Sequence, residues 1–556
     1  MQAVSDKEHG EREHFFGAVK MMTAITLLSR ILGLLRDITI TSIGASRVTD
    51  AFTLAQKIPN LFRRLFGEGA LSAAFVPVFT DTVEKEGFEK GKMLFANAMA
   101  LLGVAMAGLM VVGGVVLAVW GLAFPGNWDR QLALGLTATM LPFSLLICML
   151  ALASAALNCR GHFGYPVFAP ILQNILMLVA AVVAFKVFRA PRGAPHDVVA
   201  SQVRWQLYVI AASVTFSGAV QLAGSVYFLR KQGFSLRLKL RPVEPGIKPM
   251  LKQMLPMLIG LGFLQISEVI NDMIAWTMTA TAEHSTMTVF GKVLALPLTE
   301  GVLVRVQTAQ RLYQFPMGVL AISLGTAIFP LLSRYASRGD MPNLRDALNR
   351  AVRLAMMEGL ATGLGLFILA EPIMRMLFAW RNFTVSDAAQ AAFVLQMYVL
   401  GMWAYCSYQM FVRAFYALKD TVTPLKISCA LVLPNMAMFV VMLWVPQLGP
   451  GAYGVATAVT FSANTLILAY MFRRRVGLFG GRKLAVSVLR SLAACAVMGA
   501  VIWPLKGLLA GRSDLLIVAV CVTAGAIAFL VAAKLLRAPE IDELLQSLRK
   551  RRRQVE

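Results

Sequence analysis

Basic side chains interrupt segments that are otherwise apolar enough to cross a bilayer: Arg30 and Arg36 in one, Lys57, Arg63 and Arg64 in the next, Arg311 and Arg413 further on. Acids accompany them in smaller number, chiefly Asp37, Glu68, Glu268, Asp272 and Glu358. At a rise of about 1.5 Å per residue, Arg30 falls roughly 18 Å deep, and Arg63 and Arg64 fall near half depth. An unpaired arginine at mid-membrane costs roughly 2.5–3.5 kcal/mol, so Arg30, Arg63 and Arg64 facing lipid would together cost on the order of 8–10 kcal/mol. They must face water, an anion or counter-ions. Two chemistries meet that demand: an ion-pair network that locks helices together, or an anion-binding cavity. The surplus of positive charge favours the cavity, and because guanidinium forks grip phosphate bidentately, a phosphorylated or pyrophosphorylated substrate follows.

The acids have their own spacing. Arg64 and Glu68, four residues apart, can pair along one helix face, and Arg30 and Asp37, seven apart, share another. In LQISEVINDMIAW (264–276) Glu268 and Asp272 lie one turn apart on an intramembrane face. Acids so placed either take up H⁺ or Na⁺ or simply neutralise the arginines. Both readings stand.

The elements that must position these charges are membrane helices. Of the 556 residues, 58% are hydrophobic and 15% charged, and the mean hydropathy is +0.68. Soluble chains carry nearer a quarter charged residues. Apolar windows of bilayer length recur throughout, without the alternation of a barrel. The expected fold is all-α and polytopic, with fourteen spans near 18–43, 51–80, 93–119, 131–157, 165–188, 205–229, 250–280, 308–333, 348–370, 388–417, 423–445, 451–472, 484–508 and 514–536. An even number leaves both ends on one side. That side carries the basic loop after span six, the basic cluster after span twelve and the tail RKRRR (549–553), about 34 of the 53 Lys and Arg residues, and is cytoplasmic by the positive-inside bias. The net charge of +24 therefore reads as orientation and attraction to membrane lipid heads, with no nucleic-acid partner implied.

The basic linker 231–249 divides an N-lobe (18–230) from a C-lobe (250–472), followed by helices at 484–536 and flanked by tails at 1–17 and 537–556. Weak echoes link the lobes: AAFVPVF (73–79) with TAIFPLL (326–332), and LNCRGHFGYP (157–166) with YALKDTVTP (416–424). Two related bundles around a central site are a transporter arrangement. Residues 1–17 lack the regions of a cleavable signal, so the first span is expected to insert the chain itself. Within 281–308 the stretch TVFGKVLALPLTEGVLVRV (288–306) is expected to form an outer-face helix or lid, and 540–553 a basic surface helix. Six scattered cysteines without a CxxC pair, five dispersed histidines without HExxH, and the absence of GxxxxGK[ST] point away from disulfides, metal sites and nucleotide hydrolysis. No enzyme and no cofactor are expected.

SRILGLLRD (29–37), TDAFTLAQKIPNLFRRLFGEGALSAAFVPVF (49–79), RLYQFPMGVLAISLGTAIFPLLS (311–333) and FYALKDTVTPLKI (415–427) resemble the MurJ (MviN) family of lipid II flippases, within the multidrug/oligosaccharidyl-lipid/polysaccharide exporter superfamily. The resemblance spans nearly the whole chain. It implies two six-helix lobes around a V-shaped cationic cavity, and a groove beside the last two helices for a prenyl tail. The implied substrate is undecaprenyl-pyrophosphoryl-disaccharide-pentapeptide, moved from inner to outer leaflet of a bacterial cytoplasmic membrane by alternating access. Its functional positions fall on Arg30, Arg36, Asp50, Arg63, Arg64, Glu68 and Arg311, with Asp50 entering through the resemblance alone. The cycle is expected to draw on Na⁺, H⁺ or the membrane potential, and proteins of cell-wall synthesis and division are candidate partners.

One departure stands out. Where many members keep acids in a pattern like ADRLMEFP, this chain has AQRLYQFP, with Gln310 and Gln314, and the acids at 268 and 272 could compensate. Three rival functions remain. A drug or metabolite antiporter of the same superfamily would favour an acidic cavity. A cell-wall glycosyltransferase would need a catalytic acid on a large outer loop, and 186–204 and 281–308 offer little beyond Glu283 and Glu300; a non-transporting scaffold is the third possibility.

Overall fold

The computed structural model describes residues 25–541 except 124, 127, 190–195, 235–239, 241–242, 282–283, 290–291, 320 and 479. The N-terminal tail and the basic stretch beyond Ile541, including most of the expected surface helix, lie outside the described residues. The chain forms two compact units, Met1–Met273 and Ile274–Glu556.

The first unit holds α1 (25–41), α2 (Arg47–Phe62), a π-helical segment (Arg63–Ala70), α3 (Leu71–Glu86), α4 (Phe88–Ala123), α5 (Trp128–Cys159), α6 (Gly164–Val187), α7 (His196–Lys231) and nearly all of α8 (Ile247–Thr277). The units therefore divide later than the linker 231–249. The reason is packing: Met250 and Met254 of α8 are buried with Phe75, Phe79, Phe95 and Phe234 in one core. Phe234 stands edge-on to Phe95 at 5.1 Å and stacks on Phe79 at 6.1 Å, arrangements that favour aromatic pairs.

After α8 comes a hairpin, β1 (Thr286–Val289) and β2 (Lys292–Ala295), paired antiparallel from Val289↔Lys292 to Thr286↔Ala295. Over 286–295 a hairpin stands in place of the expected helix, whereas 302–306 of the same stretch is helical as the start of the next helix. Thr286, Thr288, Val289 and Val293 are β-branched and stiff at χ1, which disfavours a helix there and suits a strand. Then follow α9 (Val302–Val319), α10 (Ala321–Ser337), α11 (Met341–Phe378), α12 (Val385–Val399), α13 (Met402–Ala417), α14 (Val422–Ala430), α15 (Val432–Leu443), α16 (Ala452–Val476), α17 (Gly481–Leu508) and α18 (Asp514–Leu535). One core of this unit joins α10, α11, α13 and α16, and another joins α11, α17 and α18.

Each of the fourteen expected spans is mainly helical over its described residues, and among those residues eleven helical stretches are long and apolar enough to cross a membrane. The other three are 25–41, only partly described, and 47–86 and 385–417, each divided into shorter helices. At the division, Gly401 packs so closely that a Cβ there would lie 2.8 Å from Ala458 Cα. That between α14 and α15 follows from Pro434, which cannot donate to the carbonyl four residues earlier, that of Ala430. In α4 the first turns are buried, while Val104, Val111, Val112, Val115 and Val119 are all more than half exposed. Such a stripe is stable only against lipid. The protein is a multi-pass, all-α membrane protein.

Candidate functional site

The segment that carries Arg63 and Arg64 is not α-helical. Over Arg63–Ala70 (RRLFGEGA) the chain widens into a π-helix, inserted between α2 and α3. Gly67 and Gly69 lower the cost of leaving α geometry, and such insertions recur at functional sites. The side chain of Glu68, the expected partner of Arg64, lies outside the described residues. Arg64 reaches α8, where its Nη1 donates to Gln265 Oε1 at 2.9 Å and to Glu268 Oε2 at 2.8 Å. Arg63 Nε donates to Asn60 Oδ1 at 3.4 Å.

A second contact ties α2 to α8. Lys57 Nζ lies 2.7 Å from Asp272 Oδ2. The helices run antiparallel, so Lys57 meets Asp272 while Arg64, seven residues on, meets Glu268, four residues back. The two contacts differ in exposure. Lys57 and Asp272 side chains are 17% and 5% exposed; those of Arg64 and Glu268 are 35% and 53%. An exposed ion pair is worth about 0–1 kcal/mol, whereas stripping one partner from a buried pair costs about 3–5 kcal/mol. One contact is nearly buried and the other is open to solvent. Both acids of span seven thus stand beside cations of span two.

On α1, Arg36 donates Nε and Nη2 to Asp37 Oδ1 at 3.0 and 2.7 Å, and Nη1 to Asn174 Oδ1 of α6 at 2.9 Å. Asn174 Nδ2 in turn donates to the Ser29 carbonyl at 3.1 Å, which fixes α1 against α6. Asp37 therefore serves its immediate neighbour Arg36. Arg30 is exposed on α1, and Asp50, in the first turn of α2, is fully buried. Arg311 lies exposed on α9 in the second unit. Within the first unit the fold brings Arg36 with Asp37, and Lys57 and Arg64 with Asp272 and Glu268. Gln310, where the resemblance leads one to expect an acid, donates Nε2 to Tyr398 Oη at 2.9 Å. Tyr398 stacks on Tyr313, ring centres 4.9 Å apart. A neutral amide suits that aromatic lining.

Among the buried ion pairs that escaped the sequence reading are Arg353 with Glu540, at 3.3 Å, and two pairs of matched spacing. Arg47 Nε donates to Asp129 Oδ2 at 2.7 Å, both side chains 9% exposed, joining the starts of α2 and α5. Arg305 Nε donates to Asp387 Oδ1 at 3.1 Å, with further bonds from Nη1 to Thr299 Oγ1 and Gln390 Oε1 and from Nη2 to the Glu300 carbonyl. Asp387 also closes a capping box with Thr384 at the start of α12. Each partner is 82 residues from the other in both pairs, and that matched spacing is the signal that could have found them. No cluster of three or more metal-binding side chains occurs among the described residues.

Comparison with known proteins gives a consistent picture. A family model described as lipid II flippase MurJ matches residues 40–521. The lipid II flippase MurJ of Burkholderia cenocepacia is 30% identical over 473 residues, 83% of this chain and 84% of that protein. A probable lipid II flippase MurJ of Vibrio cholerae is 29% identical over 501 residues, covering 87% and 88% of the two chains. Among solved structures, a lipid II flippase MurJ in an inward closed conformation matches with a TM-score of 0.72 at 21% identity, over 92% of this chain and 98% of that one. An inward-facing multidrug-resistance MATE transporter of the MOP superfamily matches at 0.64 and 12% identity, over 83% and 98%. At these identities the two structures speak for the fold.

Proposed function

The chain belongs to the lipid II flippase MurJ family, and from that premise we propose that it moves undecaprenyl-pyrophosphoryl-disaccharide-pentapeptide from the inner to the outer leaflet of the bacterial cytoplasmic membrane by alternating access, for peptidoglycan synthesis. It is a transporter and not an enzyme. Both termini lie on the cytoplasmic side, as the basic loops favour. The observation that carries the chemistry is the run of cations Arg36, Lys57, Arg63 and Arg64 inside segments of membrane helix. Arg30, Arg36, Arg63 and Arg64 bind the pyrophosphate, with Arg63 and Arg64 offering forks and Asp37 holding Arg36 in place, and Arg311 enters as a cavity cation through the family resemblance. Asp50 and Glu68 support the arginines. Glu268 and Asp272 balance charge that the glutamines at 310 and 314 do not. An exporter of cationic drugs would want free acids, and these two acids already have cations beside them. The cycle needs no cofactor and draws on Na⁺, H⁺ or the membrane potential.

Depleting the protein in cells and measuring lipid II accessible at the outer leaflet tests this reading. The expected result is loss of the outer-leaflet pool with accumulation inside. An unchanged outer pool overturns it.

A further inference from the structure

The two contacts between α2 with its π-helical extension and α8 are chemically alike but placed differently. We propose that Glu268 is an exchangeable counter-ion, holding the anion position on Arg64 until a pyrophosphate displaces it, while Asp272 on Lys57 is a permanent one. This rests on the reading of Arg64 as a pyrophosphate ligand and adds what occupies it beforehand.

Three observations carry it. The Arg64–Glu268 pair is the open one, its side chains 35% and 53% exposed, so an incoming anion can reach it. Arg64 is also anchored by the neutral Gln265 at 2.9 Å, so the guanidinium keeps its place when Glu268 leaves. Both of these bonds come from Nη1, which leaves the Nε–Nη2 edge in the fork geometry that a phosphate takes bidentately. A pyrophosphate brings two negative charges against one carboxylate. By contrast, Asp272 is 5% exposed against Lys57, and an ion reaching it would have to open the core of the unit.

The exchange has a mechanical consequence. Bound headgroup releases Glu268 and removes one of two ionic ties between α2 and α8, leaving the Lys57–Asp272 tie as a pivot. A ligand shifts a conformational equilibrium only through contacts that differ between states, and the tie it replaces is such a contact. Without substrate, Glu268 also keeps the site from holding small anions.

The test uses the purified full chain in nanodiscs, with farnesyl pyrophosphate as probe and farnesol as the uncharged control. Glu268→Gln removes the competitor and keeps the shape, so farnesyl pyrophosphate should bind about threefold to fivefold tighter, the factor that corresponds to a weak exposed pair. Asp272→Asn should bring no such gain. Arg64→Gln should weaken probe binding tenfold or more. If Arg64→Gln binds as the parent does, the pyrophosphate reading of that residue fails, and the exchange with it. If Arg64→Gln weakens binding but Glu268→Gln is unchanged or weaker, the exchange alone is overturned. A readout on the unaltered protein guards against misfolded variants. Saturating farnesyl pyrophosphate should speed carbodiimide labelling of Glu268, while slower or unchanged labelling refutes displacement.

Discussion

The two compact units repeat each other's framework and differ in what they put inside it. Arg305 follows Arg47 by 258 positions, and Asp387 follows Asp129 by the same 258. The turn after α5 and the turn after α13 match at that displacement as well. Gly161 and Lys419 both take left-handed φ, +73° and +59°, and both receive the same pair of closing bonds. These are Gly161 N to Asn158 O and His162 N to Leu157 O in one, and Lys419 N to Tyr416 O and Asp420 N to Phe415 O in the other. Pro166 and Pro424 follow, and Cys148 and Cys406 are both buried. Yet where the first unit has Lys57, Arg63 and Arg64, the same displacement in the second reaches Phe315, Ala321 and Ile322. Its interior also holds aromatic hydroxyls and amides: Tyr313 near Tyr398 and Tyr405, and Asn464 donating to Ser428. The lesson is that the shared framework does not fix where the intramembrane cations stand. The first unit clusters Lys57, Arg63 and Arg64, while the second places Arg311 and Arg413 where the first has Thr53 and Ala155.

The largest effects should come from the shared framework. Asp129→Ala and Asp387→Ala each strand a buried guanidinium, and each should destabilise the full chain by about 3–5 kcal/mol in detergent melting experiments. The two losses should agree within about 1 kcal/mol, because a lost capping box in one is offset by the extra acceptors around Arg305. A silent substitution in either unit would break the idea of a common constraint.

Within the first unit the comparison sharpens between its two α2–α8 ties. Asp272→Ala leaves Lys57 without its near-buried partner and should cost about 2–3 kcal/mol. Glu268→Ala, at the open pair, should cost under about 1 kcal/mol by the same melting measurement. Equal costs would mean that both pairs are structural and that nothing distinguishes the cation nearer the π-helix.

Much of this frame was open to reading from sequence, because membrane helices announce themselves by apolar length. The fourteen segments, the intramembrane charges and the echo between 157–166 and 416–424 all follow from local pattern. What stayed hidden depends on contacts far apart in the chain. Arg47 with Asp129 and Arg305 with Asp387 sit at helix ends, where a charge looks like an ordinary boundary residue. Four-residue spacing led to Arg64 with Glu68, whose side chain lies outside the described residues, while no local pattern points to the contact of Arg64 with a residue 204 positions away. The hairpin at 286–295 was missed since its apolar run, TVFGKVLAL, reads by hydropathy alone as helix or strand.

The smallest effect concerns the matched turns themselves. At the position of His162, which stacks on Phe228 at 4.8 Å, the second unit has Asp420. Partial burial pushes the Asp420 carboxyl up, but the backbone N–H and hydroxyl of Thr423 and the guanidinium of Arg475 outweigh it, and the net shift is downward. Thr423 N and Oγ1 lie 3.0 and 2.7 Å from its oxygens, so the ionised carboxylate tethers the start of α14. A carboxyl whose folded pKa lies below its unfolded value, about 3.9, stabilises fully above that value and loses the contribution as pH falls through the folded pKa. Acid melting of the full chain should therefore show a decline below about pH 4 that Asp420→Asn flattens, by a few tenths to about 1 kcal/mol. At neutral pH the same substitution should lower stability by a similar amount, because the amide accepts less strongly from Thr423 and no longer attracts Arg475. His162→Asn in the first unit should leave that acid limb unchanged, since its turn is closed by main-chain bonds and a ring stack with no carboxylate in it. If both variants flatten the acid limb alike, the turns are equivalent in more than backbone shape, and the charge at 420 has no separate role.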